Sequence, residues 1–543
     1  MRKIELSQYL FDRLTKQTAY MEEKSLKEIP HYTLLKNNVK GAKLFLKEVF
    51  AGKKARVIGD YDADGMCGTA IFISGIEELG FSKEVVDFII PSRLRDGYGL
   101  SPNIVKQAIK DGVEVIVTID NGIAAVEAIK MAKDAGITVI ITDHHTAPAI
   151  LPDADVIINP RVPGETLPYT IISGATVAWY FLAAIKYELE SPLDLFQYMD
   201  LIAITVMSDV MPLDNINLAF LSAGMKKIRS RDKKLYQLAW PEEWHQAEEI
   251  DETALSFIFV PMLNALGRLA DANVGVDILI SKDQQEIQNL FREMKKINEE
   301  RKEMSRKNVE EAEKYVLDNV NPTANIVIVK GDYHEGVVGI IAGRIAEIHT
   351  KPAIVFSYNE ETGLYKGSAR TVGNIHLYDF IFQASEFIHN GGGHKGAVGL
   401  AVKPENFEDF KKKLEEISMN FKPEDFINEN LVPIDVELSE LTEQVFETIR
   451  QFGPYGNTNP KPTFLCEVEI TDLREIRDGL HYETKVVDPK TNDQIVGLFF
   501  NVRDKEKFVN QTKEGTVKIS CQPLLKFDSH SNKYIRQLSC KVL

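Results

Sequence analysis

The stretch VIGDYDADGM, residues 57–66, places Asp60, Asp62 and Asp64 within five positions, directly after a short apolar run. Carboxylates this close repel one another unless a cation, hydrogen-bond donors or open water relieve them. Carboxylate-rich groups with few imidazoles suit manganese or magnesium better than structural zinc, which prefers thiolates and histidine. Further candidates follow other apolar runs: Asp120 in TIDNG, Asp143, His144 and His145 in TDHH, and Asp209 at the end of LIAITVMSD. If these residues converge, the chemistry they offer is that of a pair of divalent cations.

The elements that must bring these residues together alternate along the chain. Helical spacing fills the gaps between candidate strands, which cover 55–58, 85–90, 114–119 and 137–142. Such alternation predicts βαβ units and a parallel sheet covered by helices on both faces. Because the carboxyl ends of parallel strands open on one edge, we expect the acidic residues to meet there. The sequence leaves open whether the run before Asp209 is helix or strand.

The aspartates differ in how they could bind metal. A two-metal site needs a ligand that bridges ions about 3.5–4 Å apart, and a carboxylate can do so. Asp120 and Asp209, each alone at the end of its segment, are the bridging candidates. Asp62 and Asp64, on the same side of an extended turn, would each give a terminal ligand to one ion. The plain alternative is that each aspartate forms a turn or caps a helix, which suits Asp120 in D-N-G but does not explain the whole set.

Bulk composition limits the class of protein. A chain of 543 residues is too long for one core, so about three or four domains are expected. Four widely spaced cysteines argue against a zinc ribbon or a disulfide framework and favour a reducing cytoplasm. The start lacks a signal-peptide core and no apolar run is long enough to span a bilayer, so we expect a cytosolic protein with no membrane contact. A formal charge of −16 disfavours a basic nucleic-acid coat but not a nuclease, because local fields outweigh the total.

The chain divides into five predicted segments. Residues 1–50 form a helical lead-in, and residues 51–282 hold the acidic cluster. Residues 283–318 lack Gly and Pro and carry sparse apolar positions, which predicts a long, partly solvated connector helix. A second α/β pattern occupies residues 319–425, and short strands across residues 431–543 predict a small barrel or sandwich.

The ordered motifs resemble the DHH phosphoesterase superfamily and, within it, the RecJ-like exonucleases. The signature triplet is Asp143-His144-His145, the first motif is DYDADG, the second is DNG and the fourth is SDVMPL. Similar segments continue as PMLNALGRL (261–269), HEGVVGIIAGR (334–344), KGSAR (366–370), GGGHKGAVGL (391–400) and FGPYGNTNPKP (452–462). The resemblance spans about residues 50 to 540. It implies an α/β fold class: a parallel-sheet DHH domain, a connector helix, a smaller α/β DHH-associated domain and a C-terminal OB-like β-barrel.

The resemblance also implies roles for the acidic cluster. Two manganese or magnesium ions would be held by Asp62, Asp64, Asp120, His144 and Asp209, and Asp60 matches the first motif as a further ligand. His145 would lie beside the scissile phosphate, where it stabilises charge or assists the leaving group. Asp143 would orient a histidine, as carboxylates behind metal ligands do. A water molecule made more acidic by the cations would attack phosphorus.

Other residues match positions that hold substrate in RecJ-like enzymes. Arg93, Arg268, Ser368 and Arg370 would bind a 5′-phosphate, since the planar guanidinium donates bidentately to phosphate oxygens. A phosphate held there would set the polarity of an exonuclease. Gly391, Gly392 and Gly393, which precede His394, would let the substrate backbone approach closely. The plain alternatives are surface or ion-paired arginines and a strained hairpin turn.

The last segment carries aromatic residues at strand-like positions, interleaved with basic ones. Bases stack on such rings in single-strand-binding barrels, with about 1–3 kcal/mol for each base. Any one ring is as well explained by the domain core, so the sequence assigns no individual stacking residue. The residues concerned are Phe464, Tyr482, Phe499 and Phe500, with Arg474, Arg477 and Lys485.

Three functions compete. The first is a metal-dependent exonuclease that degrades single-stranded DNA from the 5′ end in repair and recombination, acting as a monomer. The second is a phosphodiesterase for oligoribonucleotides or cyclic dinucleotides, whose members usually lack the extra C-terminal region. The third is a non-catalytic scaffold, which is disfavoured because every expected ligand position is filled. Cellular single strands are coated, so single-strand binding protein and a helicase are candidate partners.

Overall fold

The structure, a computed structural model, describes residues 6–17, 25–93, 95–240, 250–427, 433–476, 480–500, 502, 505–513, 515–528 and 533–543. These residues build three β-sheets that are joined and covered by helices. The α/β fold class predicted from the sequence is confirmed. None of the helices described has both the length and the apolarity needed to cross a membrane.

The first sheet is wholly parallel and has the strand order β2-β1-β3-β4-β5. Successive side chains of a strand point to opposite faces, so β3 buries Val117 against α3 and Ile116 against α4 and α5. The four predicted strands are confirmed, whereas β5 is too short to have been recognised. The elements are α1 (Leu6–Gln17), α2 (Asn38–Phe50), β1 (Ala55–Ile58), α3 (Ala63–Glu78), β2 (Val86–Ile89), α4 (Pro102–Lys110), β3 (Val115–Ile119), α5 (Val126–Asp134), β4 (Thr138–Thr142) and β5 (Val156–Ile158).

A helical block completes the first domain. It contains α6 (Gly174–Glu188), α7 (Met199–Ser208), α8 (Asn215–Ser230), α9 (Lys234–Ala239), α10 (Glu252–Ala254), a π-helical turn (Leu255–Phe259), α11 (Val260–Leu269), α12 (Asn273–Ile280) and the start of α13 (Gln284–Asn319). The run before Asp209, which the sequence left open as helix or strand, is therefore a helix, and Asp209 follows its last residue. Helix α7 packs between α3 and α8 and is buried on all sides, so its apolar run shows no helical periodicity.

The second sheet is mixed, with the order β6-β7-β8-β10-β9, and only its β6–β7 pair is parallel. The predicted connector helix is confirmed as α13, which is 36 residues long. Its first half packs into the first domain through Phe291 and Met294, and its second half packs below this sheet through Val309 and Ala312. The elements are β6 (Val327–Gly331), α14 (Glu335–His349), β7 (Ala353–Asn359), β8 (Leu364–Arg370), α15 (Leu377–Ile381), β9 (Ile388–Gly393), β10 (Ala397–Val402) and α16 (Phe407–Ser418).

The third sheet closes on itself. Its elements are β11 (Ile434–Asp435), α17 (Glu443–Gln451), β12 (Phe464–Ile476), β13 (His481–Val487), β14 (Gln494–Phe499), α18 (Lys505–Lys513), β15 (Thr516–Asp528) and β16 (Lys533–Val542). Strand β12 pairs with both β13 and β15, so β12-β13-β14-β16-β15 forms a ring of five strands. The five-stranded closure is that of an OB-like barrel.

Side chains from distant parts of the chain fill the interior of this ring. Phe464, Tyr482 and Phe499 are buried there, so they are core residues, whereas the Phe500 side chain is 44% exposed. Leu10 and Leu14 of α1 join the same core. Of the predicted basic residues, Arg474 lies 4.0 Å from Glu483 and Lys485 lies 2.6 Å from Asp472, while Arg477 lies outside the described residues.

Candidate metal centre and phosphate site

The first acidic loop leads from β1 into α3. Asp62 caps this helix, because its Oδ1 accepts the backbone N–H groups of Asp64 (3.0 Å) and Gly65 (3.2 Å). Asp64 lies in the first turn, where its two carboxylate oxygens accept the N–H groups of Gly174 (2.7 Å) and Ala175 (2.9 Å) at the start of α6. The predicted extended turn with Asp62 and Asp64 on one side was therefore wrong, since the helix begins at once.

Helix α11 holds this loop from the other side. The Oδ1 of Asn264 accepts the backbone N–H of Ala63 at 2.8 Å. Gly267 lies so close to the loop that a Cβ atom there would be 1.8 Å from the carbonyl oxygen of Tyr61. The motif PMLNALGRL thus supplies both a hydrogen bond and a close backbone contact that fix Asp60–Asp64.

His144 follows β4 and faces the acidic loops. Its Nδ1 lies 2.8 Å from the carbonyl oxygen of Ile172, an acceptor, so Nδ1 carries the proton and Nε2 presents a lone pair. This Nε2 lies 3.1 Å from Asp120 Oδ1, 3.4 Å from Asp209 Oδ2 and 3.7 Å from Asp64 Oδ2. Acceptors facing one another at these distances require positive charge between them.

Asp120 and Asp209 reach the cluster from irregular backbone. Asp120 has a positive φ of 63° directly after β3, and its backbone N–H donates to the carbonyl of Thr142 at 3.0 Å. Asp209 ends α7, and Val210, which follows it, has a φ of 50°. The Asn457 side chain donates to the Val210 carbonyl at 2.8 Å, so the segment before β12 supports the loop after Asp209.

The electrostatics of the cluster fit a cation site. Burial and then neighbouring aspartates raise the pKa of Asp60, Asp64 and Asp120 well above the usual range, and burial with Asp62 raises the pKa of Asp209 to about 7. Three buried atoms, Asp60 Oδ1, Asp120 Oδ1 and His144 Nε2, have no hydrogen-bond partner within the described ranges. Burial, followed by the charge of His145, lowers the pKa of His144 to about 3, which keeps it neutral as a ligand must be.

The ligand atoms form adjoining sets. In one set the atoms of Asp60, Asp62 and Asp120 lie within 4.8 Å of one another, and in another those of Asp64, His144 and Asp209 do so. A third set joins Asp120, His144 and His145. Because Asp120 belongs to two sets, the donor groups fit two neighbouring cations with a shared carboxylate. The acidic residues and His144 therefore lie close together, as the sequence predicts.

Asp143 and His145 form a hydrogen-bonded pair beside these sets. Asp143 accepts the N–H of Ile123 at 2.9 Å through Oδ2, and its Oδ1 accepts His145 Nδ1 at 2.8 Å and the backbone N–H groups of both histidines. Burial lowers the pKa of His145, but the Asp143 hydrogen bond and the surrounding carboxylates outweigh it and bring the pKa to about 9. Tyr98, whose role the sequence did not suggest, donates to the Asp120 carbonyl at 3.0 Å and lies 3.3 Å from His145 Nε2.

Three predicted substrate arginines lie where the first domain meets the second sheet. Arg268, at the end of α11, donates to the Gly336 carbonyl at 2.9 Å, and Arg370 on β8 donates to Ser368 Oγ at 3.0 Å. Arg93 lies over the Tyr61 ring, 4.8 Å from its centroid. Within the described ranges no carboxylate comes within 4.0 Å of any of the three. Burial and the neighbouring arginines lower the pKa of Arg268 to about 9, so the group favours an anionic ligand.

The glycine-rich segment borders this group. Gly391 to Gly393 belong to β9 and pair with β10, and the turn of the hairpin begins at His394. They are therefore strand residues. A Cβ atom at Gly392 would meet nothing within 4 Å, so its surface is open to a substrate. The His394 pKa is lowered by burial and then by the charge of Arg370, so His394 lies within electrostatic range of that arginine.

Comparisons with known proteins agree with these features. Family models match as the DHH family N-terminal domain over residues 54–206, the DHHA1 domain over 321–420 and the RecJ OB domain over 433–532. The chain is 30% identical to the Haemophilus influenzae single-stranded-DNA-specific exonuclease RecJ over 521 residues, covering 91% of this chain and 90% of that one. It is 34% identical to the Bacillus subtilis protein of the same name, covering 78% and 53%.

Solved structures give the same result. RecJ from Thermus thermophilus in complex with Mn²⁺ superposes with a TM-score of 0.77 at 25% identity, covering 98% of this chain and 75% of that one. An exonuclease RecJ bound to manganese superposes with a TM-score of 0.59 at 29% identity, covering 72% and 96%. The fold and its three-part order are therefore shared along nearly the whole chain.

Proposed function

The chain belongs to the RecJ family of single-stranded-DNA-specific exonucleases, and from this premise we propose that it removes nucleotides from the 5′ end of single-stranded DNA in repair and recombination. One observation carries the proposal: two adjoining sets of carboxylate and imidazole ligands lie within electrostatic range of a group of arginines that have no carboxylate partner within the described ranges, since Arg93 acts on Asp60 and Asp62 acts on Arg268. Metal ligands beside a phosphate-binding group are what phosphodiester hydrolysis requires.

Two divalent cations, Mn²⁺ or Mg²⁺, are the proposed cofactors. When bound, they would lower the pKa of an attacking water and neutralise charge on the phosphate. The proposed ligands are Asp60, Asp62, Asp64, Asp120, His144 and Asp209. They fit because the unpaired buried oxygens and the Nε2 lone pair already point at one another.

His145 is the proposed catalytic residue beside the scissile phosphate. Its Nδ1 is held by Asp143, so its Nε2, which lies 3.3 Å from the Tyr98 hydroxyl, would be the atom that donates a proton to the leaving oxygen or stabilises phosphate charge. Asp143 already accepts four hydrogen bonds, which supports the role of orienting His145 rather than binding metal.

The proposed 5′-phosphate pocket comprises Arg93, Arg268, Ser368, Arg370, Gly392, Gly393 and His394. The arrangement would anchor the terminal phosphate and present the adjoining phosphodiester to the acidic cluster. Helix α11 and helix α14 touch where a Cβ atom on Gly336 would lie 2.2 Å from the Arg268 carbonyl. A cleft closed at this contact would admit a single strand and exclude a duplex.

The remaining parts of the proposal concern the whole chain. The catalytic domain is assigned to 51–282, with 1–50 as a lead-in, 283–318 as connector, 319–425 as substrate domain and 431–543 as single-strand-binding barrel. The closed ring supports a long strand rather than a dinucleotide as substrate. Single-strand binding protein and a helicase are proposed partners, the monomer is the proposed state, and four free cysteines suit a cytoplasmic location.

The test digests 5′-labelled and 3′-labelled single strands with Mn²⁺, beside a blunt duplex, a dinucleotide and an Asp120→Ala control. We expect mononucleotides to be released first from the 5′ label, with the duplex and the control almost inert. Release from the 3′ label first would refute the polarity. Equal degradation of the duplex would refute the single-strand specificity, and preference for the dinucleotide would favour the smaller-substrate phosphodiesterase.

A further inference from the structure

A fourth arginine, outside the predicted set, lies beside the acidic cluster. Residues Asn159 and Arg161 follow β5 at the same edge of the first sheet. The buried side chain of Asn159 donates to the carbonyl of His145 at 3.0 Å, and its Oδ1 accepts the backbone N–H of Arg161 at 2.7 Å. The loop after β5 is thereby fixed to the turn that carries both histidines.

Most N–H donors of the Arg161 guanidinium make no hydrogen bond to the part of the chain that is described. Its Nη1 donates to Thr146 Oγ1 at 3.1 Å, and this is its one side-chain hydrogen bond to the part of the chain that is described. No carboxylate in that part comes within 4.0 Å of it. The side chain is partly buried, and burial lowers the pKa of Arg161. A half-buried guanidinium with unused donors favours an anion, above all the oxygens of a phosphate.

Arg161 and Arg93 lie toward different parts of the cluster, and His394 lies between the two sides, because the charges of both Arg370 and Arg161 act on it. The charge of Arg161 acts on His144 and Asp209, and its guanidinium bonds to the residue after His145. The guanidinium of Arg93 lies instead over the Tyr61 ring, 4.8 Å from its centroid, and the Tyr98 ring contacts both that ring and the His145 ring. A strand anchored at Arg93 and crossing the acidic cluster would therefore leave it on the Arg161 side.

We propose that Arg161 binds the phosphodiester that follows the scissile one on the 3′ side of the strand. This assignment rests on the proposed function, because it takes the 5′-phosphate pocket and the metal ligands as given above. It makes Arg161 a determinant of substrate length. A 5′-phosphorylated dinucleotide has no phosphodiester after the scissile one, whereas a trinucleotide has one.

The experiment compares the Arg161→Ala variant with the unmodified protein on 5′-phosphorylated dinucleotide, trinucleotide and long oligonucleotide in Mn²⁺. We expect kcat/KM for the trinucleotide and the oligonucleotide to fall about 10- to 100-fold, mainly through KM, which corresponds to about 1.4–2.8 kcal/mol and is the size of a hydrogen bond to a charged group. The dinucleotide should change less than about twofold. The salt dependence of oligonucleotide binding should lose about one unit of slope. Arg306→Ala, which removes an exposed, ion-paired arginine from α13, is the control for net charge and should leave all three substrates unaffected.

A neutral methylphosphonate at the second phosphodiester sharpens the test. It should weaken the unmodified protein about as much as Arg161→Ala does, and it should have no further effect on that variant. An equal loss on the dinucleotide, or a full additional loss from the methylphosphonate in the variant, would overturn the assignment. Mn²⁺ affinity and the melting temperature are measured alongside, and a change in either that accounts for the loss would also overturn it. If the unmodified protein cuts none of the substrates, the proposed function itself has failed.

Discussion

The contact between α11 and the first acidic loop can be tested by adding a single carbon atom. In Gly267→Ala the new Cβ atom would start 1.8 Å from the Tyr61 carbonyl oxygen, and contacts of this kind stay above 3.0 Å. Helix and loop must therefore separate by about 1.2 Å. That movement stretches the 2.8 Å hydrogen bond from Ala63 to Asn264 and displaces Asp60, Asp62 and Asp64 together.

A misplacement of about 1 Å can cost about 100-fold in rate, so we expect kcat to fall at least that far. Mn²⁺ affinity, measured by titration without DNA, should fall as well. Gly343→Ala in α14 is the matched control, since its Cβ atom would meet only Arg370 Cγ at 3.8 Å. Ala is favoured over Gly in a helix by about 1 kcal/mol, so this control should be at least as stable and fully active. Unchanged kcat and Mn²⁺ affinity in Gly267→Ala would refute the claim that α11 sets the loop.

The other predictions concern the cluster itself. Asp120→Asn removes one of several buried carboxylates that repel one another, so the melting temperature of the metal-free protein should not fall. The variant should also lose the rise in melting temperature that Mn²⁺ produces in the unmodified protein. A rise of normal size would contradict the role of Asp120 as a shared ligand. Asp143→Asn should lower kcat by about 100-fold or more, because the carboxylate that orients His145 is lost. Mn²⁺ affinity should change less than about threefold, because Asp143 is not one of the proposed metal ligands. Steady-state kinetics together with a Mn²⁺ titration will separate these two effects. Chelation by EDTA should destabilise the chain, since metal at 100 times its Kd adds about 2.7 kcal/mol, and calorimetry that finds no difference would argue against resident cations.

The positions of most acidic residues could be predicted because they depend on local patterns. Short β-branched runs indicate strands, and the geometry of a parallel sheet then places Asp60, Asp120 and His144 at one edge. The helix that delivers Asp209 was beyond this reasoning, since a fully buried helix and a buried strand are both continuously apolar. The strand pattern alone predicted only a barrel or sandwich, since strand pairing is a long-range property, and the OB-like barrel came from the family resemblance.

The partners of these residues could not be predicted, since they come from distant segments. Asp64 accepts hydrogen bonds from Gly174 and Ala175, more than a hundred positions later, and nothing local marks α6 as their donor. Arg161 lies in an ordinary Asn-Pro-Arg turn, and only the folded structure shows that this turn lies beside the one that carries both histidines. In the ring, the adjacent Phe499 and Phe500 must face opposite ways, but only the closure of the sheet decides which one is buried.

The burial of Leu10 and Leu14 against the last domain has a consequence for how the protein is made. During synthesis α1 leaves the ribosome before the last domain, and the apolar surface that receives it is completed only when β12 to β16 have been translated. The barrel can therefore reach its final packing only after both α1 and β16 have been translated. A fragment starting at residue 433 would expose an apolar groove to water, so an isolated barrel intended for DNA-binding work should carry residues 6–17, fused or added as a peptide.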